Sequence, residues 1–263
     1  MPIFAIYMNT CTPNTGQTEQ ASYVGKRLGV MQPYFFPYLG YYSLIAATDC
    51  WIVFDTVQYI RKGWMNRNRV LKQGGGVKYV GVTMAPHSRD TLIKDMRLAA
   101  QIDHRDQLVR HLDHYKNIRA PFYEEVVSLV GECFASGEDR LAPFLVRCLS
   151  LTCEHIGIPF RHEVYSEMML EHEPAHAPGD WALNISKKLK VSTYINPPGG
   201  KVFFDAHAFR EANVDLLYLA QELPVYDQRS ASFEPGLSIL DVMMFNEPSV
   251  IREMLTRYTL ERA

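Results

Sequence analysis

The chain has 263 residues, enough for one large domain or two small ones around a substantial core. Hydrophobic residues make up 47% and charged residues 21%, and the formal net charge is −2, so no global positive field favours DNA or anionic lipid and any basic function must be local. Five cysteines, an odd number with no C-x-x-C pair, indicate neither a disulfide framework nor a zinc knuckle, and a reducing cytoplasm is the expected compartment.

Residues 1–23 carry one short apolar run followed by Asn, Thr, Pro, Gly and Gln, and read as a mobile extension without the basic start and long apolar run of a signal peptide. A single α/β domain is expected over 24–263. RLGVM, 27–31, predicts a short strand. MQPYFFPYLGYYSLI follows, in which Pro33 and Pro37 hold the backbone extended and delay the helix expected over 39–47. CWIVF, 50–54, predicts a buried strand, so strand, loop, helix and strand form a βαβ unit whose loop lies at the carboxyl edge of a parallel sheet. The longest apolar region, 38–54, is interrupted by Asp49 and is no membrane span.

A polar, basic loop is expected over 57–69. Within it, RKGWMNRNR places Arg61, Lys62, Arg67 and Arg69 among Trp64, Asn66 and Asn68. Guanidinium forks bind phosphate or carboxylate, amides orient hydroxyls, and an indole stacks on a base or covers a sugar ring. A solvated basic loop is the plain alternative, and RNA binding lacks a supporting basic face elsewhere. Asp55 and Gln58 lie just upstream. Asp55 is the candidate general base or amine anchor; Gln58, Asn66 and Asn68 are candidates for sugar hydroxyls; Arg67 and Arg69 are candidates for an anion.

KYVGVTM, 78–84, predicts another strand. From 103 to 157 the chain reads as helical, in pieces near 104–117, 121–135 and 139–156 separated by Pro121, Gly137 and Gly157. His104, His111 and His114 fall near one helical face, but their alternation with charges favours an amphipathic surface helix over a metal site. His172-Glu173-Pro174-Ala175-His176 matches H-E-x-x-H by letters only, because Pro174 interrupts the required helical turn, so no metal site is expected. A strand near 159–165, a helix over 181–190 and a strand over 192–195 lead to Asn196-Pro-Pro-Gly-Gly200. That turn suits a hairpin, and Asn196, Gly199 and Gly200 also suit close approach of a ligand. A strand over 214–219 and helices over 237–245 and 248–258 close the chain, with Ser238 as a cap. The alternation gives an α/β class with a parallel, Rossmann-like sheet and a mainly helical middle insertion. There is no G-x-G-x-x-G, Walker loop or nucleophile elbow, and no cofactor is named by the residues.

Six pieces, in this order, resemble the WbqC-like family of bacteria: MQPYFFPYLGYYSLI, FDTVQYIRKGWMNRNRV, YKNIRAPFY, YINPPGG, Tyr226 with Gln228, and FEPGLSILDVMMFN. The family is associated with surface polysaccharide and O-antigen gene clusters. The resemblance therefore implies a cytoplasmic transferase that moves glycine or another aminoacyl group onto a nucleotide- or lipid-linked sugar. It supplies no catalytic residues. Met31 and Thr56 stand where many members carry histidine and aspartate. The start also resembles nucleotidylyltransferases and class I synthetases, with Tyr38 and Tyr41 roughly where those enzymes have two histidines. Nucleotidyl or adenylyl transfer, and non-catalytic binding of a nucleotide sugar, are the alternatives. In each case the prolines brace a loop from which Gln32, Tyr34 and Tyr38 face a pocket, and the basic segment closes over the same edge.

Overall fold

The computed structural model describes residues 23–171, 175 and 177–263. Residues 1–22, and both histidines of the H-E-x-x-H look-alike, lie outside the described residues. Tyr23, assigned above to the extension, is already buried against the core.

The first three elements form as the sequence predicts: strand β1 (Arg27–Met31), helix α1 (Leu39–Ala47) and strand β2 (Cys50–Val53). β1 and β2 pair in parallel with Leu28 opposite Cys50. α1 is buried almost all round, which matches its uninterrupted apolar sequence. The basic segment is not wholly a loop. Its second half is strand β3 (Arg67–Leu71), paired antiparallel with β4 (Val77–Gly81) in a separate two-stranded hairpin. The run of cations obscured a period-two pattern in which Asn68 and Val70 are buried while Arg67 and Arg69 face outward.

Helices α2 (His104–Asn117), α3 (Tyr123–Phe134) and α4 (Leu141–Ile156) form the expected helical insertion. Asp103 caps α2 by accepting the Asp106 N–H at 2.9 Å, and Gly157, at φ +82°, ends α4. The histidines of α2 do not sit on a solvated face: His104 and His114 are buried, because the helix packs under the β3–β4 hairpin and against α3. Among the described residues, no group of three or more His, Cys, Asp or Glu side chains is placed to hold a metal ion.

Strand β5 (His162–Val164), helix α5 (Asp180–Leu189), strand β6 (Thr193–Asn196), helix α6 (Ala206–Glu211) and strand β7 (Asp215–Gln221) complete the parallel part of the sheet. β6 and β7 are parallel neighbours, so the proline–glycine turn after β6 opens a crossover rather than a hairpin, and Pro198–Phe203 form a 3-10 helix. Helices α7 (Ile239–Phe245) and α8 (Pro248–Leu255) match expectation. A last strand, β8 (Tyr258–Arg262), was not predicted; it is a polar, exposed edge strand antiparallel to β7.

The sheet order is β5-β2-β1-β6-β7-β8. Alternate residues feed two cores. Leu28, Ile52, Tyr194 and Leu216 pack with α5 and α6 on one face; Trp51, Val53, Ile195 and Leu219 pack with α1, α4, α7 and α8 on the other. From β1 the chain winds outward through β2 to β5, then returns to the other side of β1 as β6. The carboxyl ends of β1 and β6 therefore flank a topological switch point, the place where open α/β sheets leave a crevice. Among the described residues no helix is long and apolar enough to cross a membrane.

Burial, and after it Lys78, lowers the proton affinity of His114 to a pKa of about 4, against the opposing pull of Asp113. The unfolded chain binds that proton near pH 6.5, so the contribution to stability is complete above pH 6.5 and is lost as pH falls towards 4. Urea denaturation at pH 7 and 4.5 should show His114→Gln losing less stability on acidification than the parent, by on the order of 2 kcal/mol.

Candidate functional site

A cavity of about 930 Å³ opens at the switch point. It is lined by Met31 and Gln32 from the end of β1, Phe54 after β2, and Asn196 and Pro197 from the end of β6. That volume suits a ligand larger than a single sugar.

The proline-braced stretch forms one wall. Phe36 adopts φ +38°, a left-handed conformation disfavoured for a bulky residue, and two side chains hold it there through three hydrogen bonds. The Asn68 amide donates to the carbonyls of Phe35 and Phe36 at 3.1 and 2.9 Å, and the Ser238 hydroxyl donates to Phe36 O at 2.6 Å. The Phe35 N–H donates to Trp64 O at 2.9 Å, the Ile239 N–H to Pro37 O at 2.9 Å, and the Ser238 N–H to Arg69 O at 2.8 Å. Loop, hairpin and the start of α7 are thus stitched together by backbone and buried amide bonds. The sequence marks this only as two prolines beside a polar run; the pairing is tertiary.

Below the stitching lies a buried carboxylate. Asp241 accepts hydrogen bonds from Tyr115, from Tyr226 at 2.6 Å and from Gln228 Nε2 at 3.0 Å. Tyr115 in turn accepts the Leu71 N–H at 3.0 Å. Burial raises the Asp241 pKa despite these donors. Asp241 does not line the cavity; it ties residues 226–241 to β3 and α2.

Nine of the residues singled out from the sequence line the cavity: Gln32, Tyr34, Tyr38, Trp64, Asn68, Arg69, Asn196, Gly199 and Gly200. Their availability differs. Asn68 is committed, since its Oδ1 also accepts the Arg69 N–H at 2.8 Å, so the expected contact with sugar hydroxyls gives way to a structural role. The side chains of Gln32, Tyr34, Tyr38 and Asn196 make no hydrogen bond among the described residues and are free for a ligand. Burial raises the Tyr34 and Tyr38 pKa values, so both phenols stay neutral donors at pH 7. Gly200 is required beneath Asn196: a Cβ there would stand 2.6 Å from the Asn196 Nδ2 and 2.8 Å from the Phe204 ring.

Arg69 is the one side chain carrying a full charge among the described residues that line the cavity. Its Nη2 donates to Gly236 O at 3.2 Å, it pairs with no carboxylate among the described residues, and its Nε is buried without a partner. A cation held by one neutral carbonyl can accept an anion without breaking an ion pair.

Six candidates lie elsewhere. Asp55 is buried and its carboxylate is taken up by Ser166, accepting the N–H at 3.0 Å and the hydroxyl at 2.6 Å, away from the cavity that its neighbours Phe54 and Val57 line. It lies beyond the end of β2 and does not line the cavity, and this placement does not carry the general-base role. The Gln58 amide donates to Arg89 O at 2.7 Å, and the Asn66 amide to Val82 O at 2.9 Å. Arg61 reaches His87 O, and Lys62 is exposed with its carbonyl accepting from Arg67 at 2.6 Å. Arg67 lies over the Tyr79 ring.

Sequence reasoning missed most of the apolar wall: Phe54, Trp181, Tyr194, Phe203 and Phe204. The aromatic pair after the proline–glycine turn was the available signal. Met31 lines the cavity, whereas Thr56 does not.

The profile of the WbqC-like protein family matches residues 32–253, from the first free amide to α8. The chain belongs to the WbqC-like protein family. It is 25% identical over 222 residues to a Mycobacterium tuberculosis protein that is itself uncharacterized, a match covering 84% of this chain and 94% of that one. No solved structure matches the chain. The family match includes every described lining residue of the cavity except Val30 and Met31.

Removing the Asn68 side chain would leave the Phe35 carbonyl and the Arg69 N–H without their partners in a buried place. Asn68→Ala should lower unfolding free energy by roughly 2–4 kcal/mol in urea titrations, more than any single surface substitution on the hairpin.

Proposed function

We propose that the protein is a cytoplasmic transferase of bacterial surface-polysaccharide assembly, moving glycine or another aminoacyl group onto a carrier-linked sugar bound in the switch-point cavity. The observation that carries this reading is the setting of Arg69: among the described residues it is the one guanidinium of an aromatic-walled cleft and has no carboxylate partner, and two amides without hydrogen bonds among those residues, Gln32 and Asn196, lie at the ends of adjacent strands. A carrier-linked sugar has the matching chemistry. Its phosphate meets the guanidinium, its hydroxyls meet amides and phenols, and its ring faces meet aromatic walls. Family membership supports the same reading through the polysaccharide association that the resemblance implies.

Transfer from an activated donor requires the acceptor hydroxyl or amine to approach the face of the donor's carbonyl carbon, lose its proton and expel the group that activated the donor, and a rigid cleft contributes by fixing that orientation. The second reading, a non-catalytic sugar–nucleotide binder, is favoured by a specific observation: no carboxylate, thiol or imidazole lines the cavity among the described residues. Nucleotidyl transfer draws less support, because the Tyr41 hydroxyl is committed to the Gln32 carbonyl at 2.9 Å and is not offered to a phosphate.

Titration calorimetry with a UDP-linked sugar tests the site. Arg69→Met should weaken binding about 10- to 100-fold, the range expected for a charge-assisted hydrogen bond in a partly dry site. Gly200→Ala, by displacing the Asn196 amide, should weaken it roughly tenfold. Equal affinity of Arg69→Met and the parent would refute the anion site. Loss of an aminoacyl group from the host glycan on gene deletion, seen by mass spectrometry, separates transfer from mere binding.

A further inference from the structure

The outer face of the β3–β4 hairpin carries an arrangement of which the cavity uses only one end. Strand alternation turns Arg67 and Arg69 outward, and Tyr79 stands directly across from Arg69. Trp64 precedes β3 on the same side. The Trp64 and Tyr79 rings are nearly parallel, at 28°, with centroids 6.4 Å apart. The Arg67 guanidinium lies 4.2 Å from the Tyr79 ring centre, and that of Arg69 lies 5.6 Å from the Trp64 ring centre. Four planar groups therefore make one strip. Trp64 is 40% and Tyr79 49% exposed, so both rings offer surface to solvent. Neither arginine pairs with a carboxylate among the described residues.

The strip is continuous with the cavity at one end only. Trp64 and Arg69 line the cavity, while Tyr79 and Arg67 do not. Arg69 thus stands at the corner: its guanidinium faces the Trp64 ring and donates to the Gly236 carbonyl. The two ends differ in chemistry. Inside are free amides and phenols suited to hydroxyl groups. Outside are the π faces of Trp64 and Tyr79 and the Arg67 guanidinium. A flat, uncharged ring next to phosphate fits the outside; a sugar fits the inside.

We propose that Trp64 and Tyr79, with Arg67, form a nucleobase shelf at the mouth of the cleft, running outward from the wall that Trp64 lines. The carrier is then a nucleoside diphosphate rather than a lipid, bound with the base outward, the phosphates at Arg69 and the sugar within. This rests on the reading of the cleft as a sugar site and fixes the order in which the ligand lies. Stacking is tolerant of base identity, so the shelf selects for the presence of a base and not for one particular base.

The test is calorimetry with UDP-glucose, ADP-glucose and the base-free glucose 1-phosphate on the full chain. The nucleotide sugars should bind at least tenfold more tightly than glucose 1-phosphate. Tyr79→Thr should weaken nucleotide-sugar binding by about 5- to 100-fold, the range for loss of one stacking partner, and shift glucose 1-phosphate binding far less. Tyr79→Phe keeps the ring and should stay within about twofold of the parent, which separates stacking from any role of the hydroxyl. Threonine suits a strand and Tyr79 is half exposed, so both variants should fold. If nucleotide sugars and glucose 1-phosphate bind equally and Tyr79→Thr is indifferent, the shelf is overturned while the sugar site stands. If none of the three ligands binds, both readings fall together.

Discussion

The buried Asn68 amide joins the parts of the site. It donates to two successive carbonyls in the proline-braced loop and accepts the next backbone N–H of its own strand. Buried peptide groups demand partners, and a loop that carries two prolines and a positive φ cannot find them within itself. Asn68 and Ser238, one from the hairpin and one from the cap of α7, supply them. Once these bonds form, Tyr34 and Tyr38 are aimed at the ends of β1 and β6, and Arg69 is placed beside Gly236. A cleft wall built from three chain segments this far apart becomes rigid because its backbone is satisfied across segments.

Asp241 serves the same end from beneath. Burial works against its charge, and three donors work to keep it. Removing any one donor exposes the cost of the buried carboxyl, so residues 226–241 are held to β3 and α2 more firmly than apolar packing alone would hold them. Gly236 lies within that span, and the position of Arg69 depends on its carbonyl. A carboxylate outside the cavity thus governs a cation that lines it. Rigid placement lets one cation suffice: a fixed guanidinium in a cleft of low polarity binds an anion far better than several mobile ones in water.

Much of the architecture was legible. The βαβ start follows from RLGVM and CWIVF flanking an apolar helix, and the helical insertion follows from its capping and breaking residues. The hairpin was half hidden because RNRVL looks like a charged loop until Asn68 and Val70 are seen to alternate with the arginines. β8 was missed because YTLER is short and mostly polar, with only Tyr258 and Leu260 apolar, and its place at an exposed edge explains why so little apolar surface suffices. Asp55 is a lone acid beside a basic run in the sequence, but it lies beyond the end of β2, where no strand period fixes a side chain's direction, and its tertiary partner is Ser166.

The sequence by itself determined the class of fold, the family, the existence of a loop braced by prolines and a segment rich in cations. These are local properties, written in propensity, periodicity and the fixed φ of proline. Only the tertiary structure decided which cation and which amides share a cavity. It committed Asn68 to backbone carbonyls, turned Asp55 away, left Gln32 and Asn196 free and brought Trp64 beside Tyr79. Such choices depend on hydrogen bonds between residues up to two hundred positions apart, and no local pattern encodes which buried polar groups will satisfy one another.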